Sequence, residues 1–150
     1  MSVAPSHTTD ESQIRVLIDD RIKAVCGKDV DALVANHAPE ILTFDVINPL
    51  QNNGVEAVKR RAEQWFSSFD GPLDYAVRDL RITRGEDVAF CHFLNQVRGR
   101  TTDGAHIDMW WRVTLCCRRI DNRWQITHEH DSVPFDMNSG KASLHLGPEA

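Results

Sequence analysis

Hydrophobic residues recur along this 150-residue chain first with helical and then with strand periodicity. Apolar residues from Ile14 to Val25 recur at helical spacing until Gly27, and Thr8 with Glu11 forms a capping-box pattern before them. This segment is therefore predicted to be the first helix. Arg21 lies on the same apolar stripe, so its guanidinium group is aimed at the interior unless it reaches out past the helix end.

Two further helices and a short strand are predicted next. The second helix covers Asp29 to about His37, and the strand covers Ile41 to Val46, with Asp45 near its end. The third helix follows Gly54 and continues to Phe69, with Trp65 among its inward apolar residues. The helical part of the chain thus precedes most of the sheet.

The rest of the chain contains four long β-rich runs separated by turn residues, at positions 73–83, 87–98, 106–119 and 123–133. Helices followed by strands predict an α+β fold, with a curved antiparallel sheet that forms a cone around the N-terminal helices. The mouth of such a cone is a pocket. We expect a flexible N-terminus over residues 1–9, a single domain over 10–136, and a flexible tail or flap over 137–150.

Composition and charge narrow the classes of partner. The net charge is −5 and there is no Lys/Arg cluster, which argues against nucleic acid and anionic membranes as partners. No signal peptide and no run of roughly 18 apolar residues is present, so we expect a cytoplasmic protein. The four cysteines lack C-x-x-C spacing and are expected to be reduced and structural. No cofactor is expected.

The last predicted strand ends in four consecutive ionisable residues, His128-Glu129-His130-Asp131. Strand alternation places the two histidines on one face and the two carboxylates on the other. Trp124 and Ile126 share parity with the histidines, which favours burial of that face, but a bulge would change the register, so the face that lines the pocket stays open. With a simple two-residue turn at positions 121 and 122, Arg112 would lie opposite Asp131 as an ion pair.

A metal site is another possible role for His128 and His130, because both imidazoles lie on one face of the strand. Two more possible ligands, His106 and Asp108, begin the preceding strand. No third ligand occurs at a motif spacing, so no metal is predicted, and packing, a dimer interface or catalysis remain as roles for the histidines. The adjacent Trp110 and Trp111 point to opposite faces of the sheet. One of them can line the pocket, while the other covers an outer face suited to dimerisation.

Several short motifs resemble those of one superfamily. They are Gly27 to Leu33, Leu42-Thr43-Phe44-Asp45, Gly54, Arg112-Val113-Thr114 and residues 121–132. Over roughly residues 10–134, the chain resembles the ketosteroid isomerase-like superfamily, also called SnoaL-like or nuclear-transport-factor-like. The last block is also similar to the association domain of calcium/calmodulin-dependent kinases, which is not an enzyme. The superfamily contains isomerases, cyclases, hydrolases, dehydratases and non-catalytic assembly domains, so the resemblance implies a fold more strongly than a function.

The resemblance implies roles for individual residues. Asp45 matches the carboxylate that shuttles a proton in the steroid isomerases, and Arg21 matches the tyrosine that donates to the developing oxyanion. The second donor of those enzymes would fall near Arg112 or Val113, and neither is a carboxylic acid. The same resemblance implies that Glu129 and Asp131 face the pocket, in contrast to the parity of Trp124 and Ile126. Because both oxyanion donors are replaced, the resemblance argues against strict steroid isomerase activity.

These arguments define a candidate site and two classes of function. The candidate catalytic residues are Asp45 as base, Arg21 as electrostatic donor, Asp131 and His130, and the candidate pocket-lining residues are Trp65, Phe44, Trp111, Glu129 and His128. The first class is a homodimeric, cofactor-independent isomerase, cyclase or hydrolase that acts on a small, largely apolar carbonyl compound. The alternative is a non-catalytic ligand-binding or dimeric assembly module, in which Asp45 and Arg21 form only a buried ion pair.

Overall fold

The computed structural model describes residues 7–149, with side chains described from residue 10 onward. Residues 1–6 of the predicted flexible N-terminus lie outside the described residues, and residues 7–9 belong to the first helix. The three helices are α1 His7–Cys26, α2 Val30–Val34 and α3 Val55–Ser67. The first helix ends immediately before Gly27, as predicted. None of the helices within residues 7–149 combines the length and hydropathy needed to cross a membrane.

Six strands form one sheet, and they are β1 His37–Phe44, β2 Asn52–Asn53, β3 Phe69–Arg84, β4 Val88–Thr101, β5 His106–Ile120 and β6 Arg123–Ser132. Their order is β2-β1-β6-β5-β4-β3. The pairs are antiparallel except for β1 and β6, which are parallel. The predicted α+β fold, with a curved sheet and N-terminal helices, is confirmed.

The start of β1 differs from the sequence prediction. The second helix was expected to reach about His37, but α2 ends at Val34 and β1 already begins at His37. Pro39 interrupts the helical pattern and is tolerated in the strand, because the pairing of β1 with β6 breaks between His37 and Leu42. Pro39 and Glu40 are exposed at this irregularity, whereas His37 is buried.

A two-residue turn joins β5 to β6, as predicted. Ile120 pairs with Arg123, and Asp121 and Asn122 between them both have positive φ values, 52° and 62°. Two left-handed residues in succession are the hairpin geometry whose twist matches the flanking strands. Asp and Asn adopt this conformation more readily than other residues with a side chain.

Farther along β6, a β-bulge at Thr127 changes the facing of the strand. Cys117 pairs with Ile126 but Cys116 pairs with His128, so β6 has one extra residue at this point. Ile126 before the bulge and Asp131 after it are therefore both buried on the concave face. The bulge also shifts the register at the far end of the strand.

The predicted ion pair between Arg112 and Asp131 is wrong because of this shift. Arg112 pairs in register with Ser132, and Asp131 pairs with Val113. The Nε atom of Arg112 donates a hydrogen bond of 3.0 Å to the Ser132 hydroxyl group. Arg112 is exposed and Asp131 is buried, so the two side chains do not meet.

The core lies between the concave face of the sheet and the helices. Ile14 and Ile18 of α1 pack with Leu115 and Ile126 of the sheet, and a second group of buried residues surrounds Phe66 of α3. Beyond β6, the segment predicted to be a tail or flap folds back as a turn, with a bridge between residues 135 and 142. Leu144, which follows this turn, reaches the cavity described below.

Candidate functional site

A cavity of about 330 Å³ remains between the helices and the concave face of the sheet. The predicted site residues that line it are Arg21, Phe44, Asp45, Trp65, Trp111, Glu129 and Asp131. Ile47 and Leu144 line it as well, and both are about half exposed, which places them at its mouth. The aromatic residues Trp65 and Trp111 meet edge to face with ring centroids 6.1 Å apart, so they form a wall without filling the space.

The polar centre of the cavity is an ion pair between Arg21 and Glu129. The two terminal guanidinium nitrogens of Arg21 donate to the two carboxylate oxygens of Glu129 at 2.6 and 2.9 Å. Only 10% and 13% of the two side chains are exposed. Burial alone would raise the pKa of Glu129, but the charge and hydrogen bonds of Arg21 outweigh burial and hold the pKa at about 2.

The third nitrogen of Arg21 is also occupied. Its Nε atom donates to the hydroxyl oxygen of Tyr75 at 2.9 Å. Burial raises the pKa of Tyr75 to about 12, although the neighbouring Arg21 acts in the opposite direction. Tyr75 is therefore a neutral phenol whose oxygen accepts from Arg21, so its own proton is available to another acceptor in the cavity.

Asp131 is the second carboxyl group on this part of β6, and only 9% of it is exposed. Burial raises the pKa of Asp131 well above its ordinary value, and the negative charge of the neighbouring Glu129 raises it further. A hydrogen bond with Glu129 favours the protonated form of Asp131. The Oδ1 atom of Asp131 has no hydrogen-bond partner among the described residues. Asp131 is thus a buried carboxylic acid that can donate a proton or a hydrogen bond.

The predicted pairing of Asp45 with Arg21 is wrong. Arg21 is taken up by Glu129, and Asp45 instead lies 3.2 Å from the Nε atom of Arg61, in an ion pair without hydrogen-bond geometry. The backbone N–H of Val46 also donates to Asp45 at 2.7 Å. Burial raises the pKa of Asp45, while Arg61 and the backbone hydrogen bonds limit the increase. Asp45 lines the cavity as a carboxylate with one cationic neighbour.

The structure does not place His128 and His130 at the cavity. The bulge at Thr127 turns both imidazoles away from the side of β6 that carries Glu129 and Asp131. Both rings contact Phe44 at the edge of the cavity, with 4.9 and 5.3 Å between centroids. The Nδ1 atom of His128 also lies 2.6 Å from the carbonyl oxygen of Leu42. The predictions of His130 as a catalytic residue and of His128 as a pocket-lining residue are therefore wrong.

Three ionisable cavity residues had no role in the sequence analysis, namely His37, Arg61 and Tyr75. His37 was assigned to a helix end, and Arg61 lay in a charged stretch of the third helix. Tyr75 is the sole tyrosine of the chain and lies on the same face of β3 as Leu73 and Val77, a signal that would have marked it as inward. Its partner could not be derived from the sequence.

The charged groups of the cavity balance when Asp131 is protonated. Arg21 and Arg61 contribute two positive charges, and Asp45 and Glu129 contribute two negative charges. His37 is neutral near pH 7, because burial lowers its pKa to about 4. A ligand in this cavity therefore experiences oriented dipoles and hydrogen-bonding groups but no net charge.

Metal and thiol chemistry receive no support from the part of the chain that the structure describes. No group of three or more His, Cys, Asp or Glu residues there is arranged to hold a metal ion. The four cysteines are free thiols, and burial raises the pKa of Cys91 to about 11 and that of Cys117 to about 12. Such thiols are poor nucleophiles near neutral pH.

The fold and the cavity agree with the comparison with protein families. The SnoaL-like domain family matches residues 14–136, and the chain belongs to this family. The predicted superfamily is therefore confirmed. No curated protein matches the chain.

Solved structures include one relative that shares substantial sequence. An NTF2-like protein of unknown function from Pseudomonas putida KT2440 is 34% identical, covers 94% of this chain and 98% of its own, and has a TM-score of 0.85. A proposed dehydratase of the NTF2-like family from Streptomyces avermitilis is 14% identical, with 85% and 97% covered and a TM-score of 0.75. A ketosteroid isomerase-like protein from Erwinia carotovora is also 14% identical, with 81% and 93% covered and a TM-score of 0.70. The last two show the shared fold alone.

Proposed function

We propose that the protein is a cofactor-independent enzyme that transfers a proton at a carbon atom beside the carbonyl group of a small, uncharged and largely apolar compound. The observation that carries this proposal is Asp131, a buried acid with a raised pKa and an unpartnered oxygen in the same cavity as the carboxylate of Asp45. Two carboxyl groups with different protonation states supply both an acid and a base. Names of structural relatives that include a dehydratase and an isomerase-like protein are consistent with such chemistry.

Each group has a distinct role in this proposal. Asp45 removes the proton, and its raised pKa makes it a stronger base than an exposed aspartate. Tyr75 donates a hydrogen bond to the carbonyl oxygen as it becomes negative. Asp131 has a single O–H, which it redirects from Glu129 to the same oxygen when the substrate binds. Arg21 does not contact the substrate and acts as a positioning residue, because its three nitrogens hold Tyr75 and Glu129.

An assay of hydrogen exchange tests the proposal directly. Cyclic ketones, beginning with tetralone, are incubated with the protein in heavy water, and deuterium uptake beside the carbonyl is followed by NMR. Asp45→Asn should reduce the rate by about 10²–10⁴-fold, because the base is lost. Asp70→Asn is the matched control, since Asp70 is exposed on β3 and does not line the cavity.

The pH profile separates the two carboxyl groups. The rate should rise as Asp45 ionises and fall as Asp131 loses its proton at higher pH. Asp131→Asn keeps a neutral donor, so the fall at high pH should disappear, whereas Asp131→Leu should lose about 10²–10³-fold in rate. An unchanged rate in Asp45→Asn, or an unchanged profile in Asp131→Asn, would exclude the corresponding role.

One observation favours a non-catalytic alternative. Arg61 neutralises Asp45, which reduces its strength as a base, and a balanced cavity of this kind also suits a binding protein. In that case cyclic ketones bind without any deuterium uptake above the uncatalysed rate. A measured dissociation constant beside an absent exchange reaction would establish this alternative.

We further propose that the protein forms a homodimer through the outer face of its sheet. Phe90, Cys116 and His128 form one row across β4, β5 and β6 on this face, and 46% of Phe90 is exposed. Exposed aromatic residues on a sheet face suit a protein interface. Sedimentation equilibrium of the purified protein measures its oligomeric state directly.

A further inference from the structure

The cavity contains several buried polar atoms without partners. Among the described residues, the buried side-chain atoms that lack a hydrogen bond include both ring nitrogens of His37, Nε1 of Trp111 and Oδ1 of Asp131. All three residues line the cavity. Leaving a buried donor or acceptor without a partner is costly, so such groups are rare in folded proteins and cluster where a ligand completes them.

His37 is the most informative of these residues. Only 7% of it is exposed, and it begins β1 beside Ile126 of β6. Its imidazole is neutral because burial lowers its pKa, an effect that Arg21 strengthens and Glu129 opposes. A neutral imidazole offers one N–H donor and one nitrogen acceptor. Its natural partner is a group that both donates and accepts, as a hydroxyl group does.

The strand register places His37 and Asp131 at different depths. His37 lies beside Ile126, which pairs with Cys117, whereas Asp131 pairs with Val113 four residues along β5. Four residues of a strand span roughly 13 Å, which is the separation of the two backbone positions along the sheet. Since Ile47 and Leu144 mark the mouth at the other end of β1, His37 lies at the inner end of the cavity.

The size of the cavity limits what can span this distance. A volume of about 330 Å³ corresponds to roughly 11 water molecules at about 30 Å³ each. A compound with two fused six-membered rings fits within this volume, and it can carry oxygen atoms at its two opposite ends. The balanced charge of the cavity favours an uncharged compound of this kind.

We infer that His37 is a specificity-determining residue that binds a hydroxyl group at the inner end of the substrate, so that the substrate class is small cyclic hydroxy-ketones. This inference rests on the proposed function, which places the ketone beside Tyr75 and Asp131. The hydroxyl group either donates to the unprotonated ring nitrogen of His37 or accepts from the protonated one, depending on which nitrogen faces the substrate. Trp111 Nε1 remains as a donor closer to the mouth.

Binding of a matched pair of ketones tests the inference. The probes are tetralone and a hydroxytetralone with its hydroxyl group on the ring carbon opposite the ketone. Quenching of tryptophan fluorescence reports binding, because Trp65 and Trp111 line the cavity. The unaltered protein should prefer the hydroxylated probe by about 10–100-fold, the effect of leaving a buried polar group without its partner.

Two substitutions assign the preference to His37. His37→Phe should reduce the ratio of the two dissociation constants to below about threefold, because the phenyl ring cannot form a hydrogen bond of this kind. His37→Gln retains a donor and an acceptor and should keep part of the preference. His106→Phe is the matched control, since His106 is exposed at the start of β5 and should leave the ratio unchanged.

The possible results separate the two proposals. A preference that survives in His37→Phe, a protein that binds both probes equally, or a protein that binds neither would each overturn the inference. A preference that depends on His37 without any deuterium uptake would support the inference and reject catalysis. Deuterium uptake into tetralone without a preference for the hydroxylated probe would support catalysis and reject the inference.

Discussion

Glu129→Gln removes one half of the buried ion pair and should destabilise the protein. The change is isosteric but leaves the guanidinium of Arg21, with only 10% of its side chain exposed, without a negative partner. Removing one partner from a buried pair costs about 3–5 kcal/mol, mostly because the other charge stays buried. Asp131 limits this loss, since without the charge of Glu129 its pKa falls and it can ionise beside Arg21.

We therefore predict energetic coupling between the carboxyl groups of Glu129 and Asp131. Asp131→Asn alone should not destabilise the protein at pH 7, because asparagine resembles the protonated acid and does not ionise in the unfolded chain. Together with Glu129→Gln, it removes the substitute charge, and the loss should reach the full 3–5 kcal/mol. The double-mutant cycle should then deviate from additivity by about 0.5–3 kcal/mol, as expected for residues within one network.

Urea unfolding followed by tryptophan fluorescence measures these free energies. Glu86→Gln is the control, since Glu86 is exposed in a turn and its change should stay within about 0.5 kcal/mol. The pKa of Glu129 is about 2 in the folded protein, below its ordinary value of 4.5. Its stabilisation is thus present above about pH 4.5 and is lost as the pH falls toward 2. The reasoning would be refuted if Glu129→Gln lowered the free energy of unfolding by less than about 0.5 kcal/mol and its effect were additive with that of Asp131→Asn.

Two further predictions concern Asp131 and the outer face. Because the pKa of Asp131 is raised in the folded protein, Asp131 contributes stability below the pKa that it has in the unfolded chain. This contribution is lost as the pH rises through the pKa that Asp131 has in the folded protein. Scanning calorimetry should therefore show that the Tm of Asp131→Asn rises relative to that of the unaltered protein between pH 4 and pH 8. A difference between the two Tm values that does not change with pH would contradict the raised pKa of Asp131. Phe90→Asp should weaken a dimer at least tenfold in sedimentation equilibrium, because it places a charge at an apolar interface. A monomeric parent protein would reject that interface.

Local periodicity was enough to predict most of the secondary structure. The spacing of Ile14, Leu17 and Ile18 depends only on which residues face the sheet, and those residues are buried. The turn at Asp121-Asn122 is equally local, because both residue types adopt positive φ readily. Such features need no knowledge of distant parts of the chain.

The partners of the charged residues were not predictable in the same way. Arg21 was expected inside the fold, but its choice of Glu129 over Asp45 depends on contacts that are 108 residues apart in sequence. That choice is set by the register of β6, and a single extra residue reverses which side chains face inward. The sequence offered no signal for a bulge at Thr127, so the parity of Trp124 and the resemblance to the isomerases pointed in opposite directions.

The bulge reconciles those two arguments and explains the chemistry of the cavity. It lets Trp124 remain in the core while it turns Glu129 and Asp131 toward Arg21. One guanidinium group then faces two carboxyl groups, and it can neutralise only one of them in a bidentate pair. Glu129 takes that place, and burial together with the charge of Glu129 keeps the proton on Asp131. Arg21 lowers the pKa of Asp131 directly, but by keeping Glu129 ionised it also supplies the neighbouring charge that, with burial, holds Asp131 protonated.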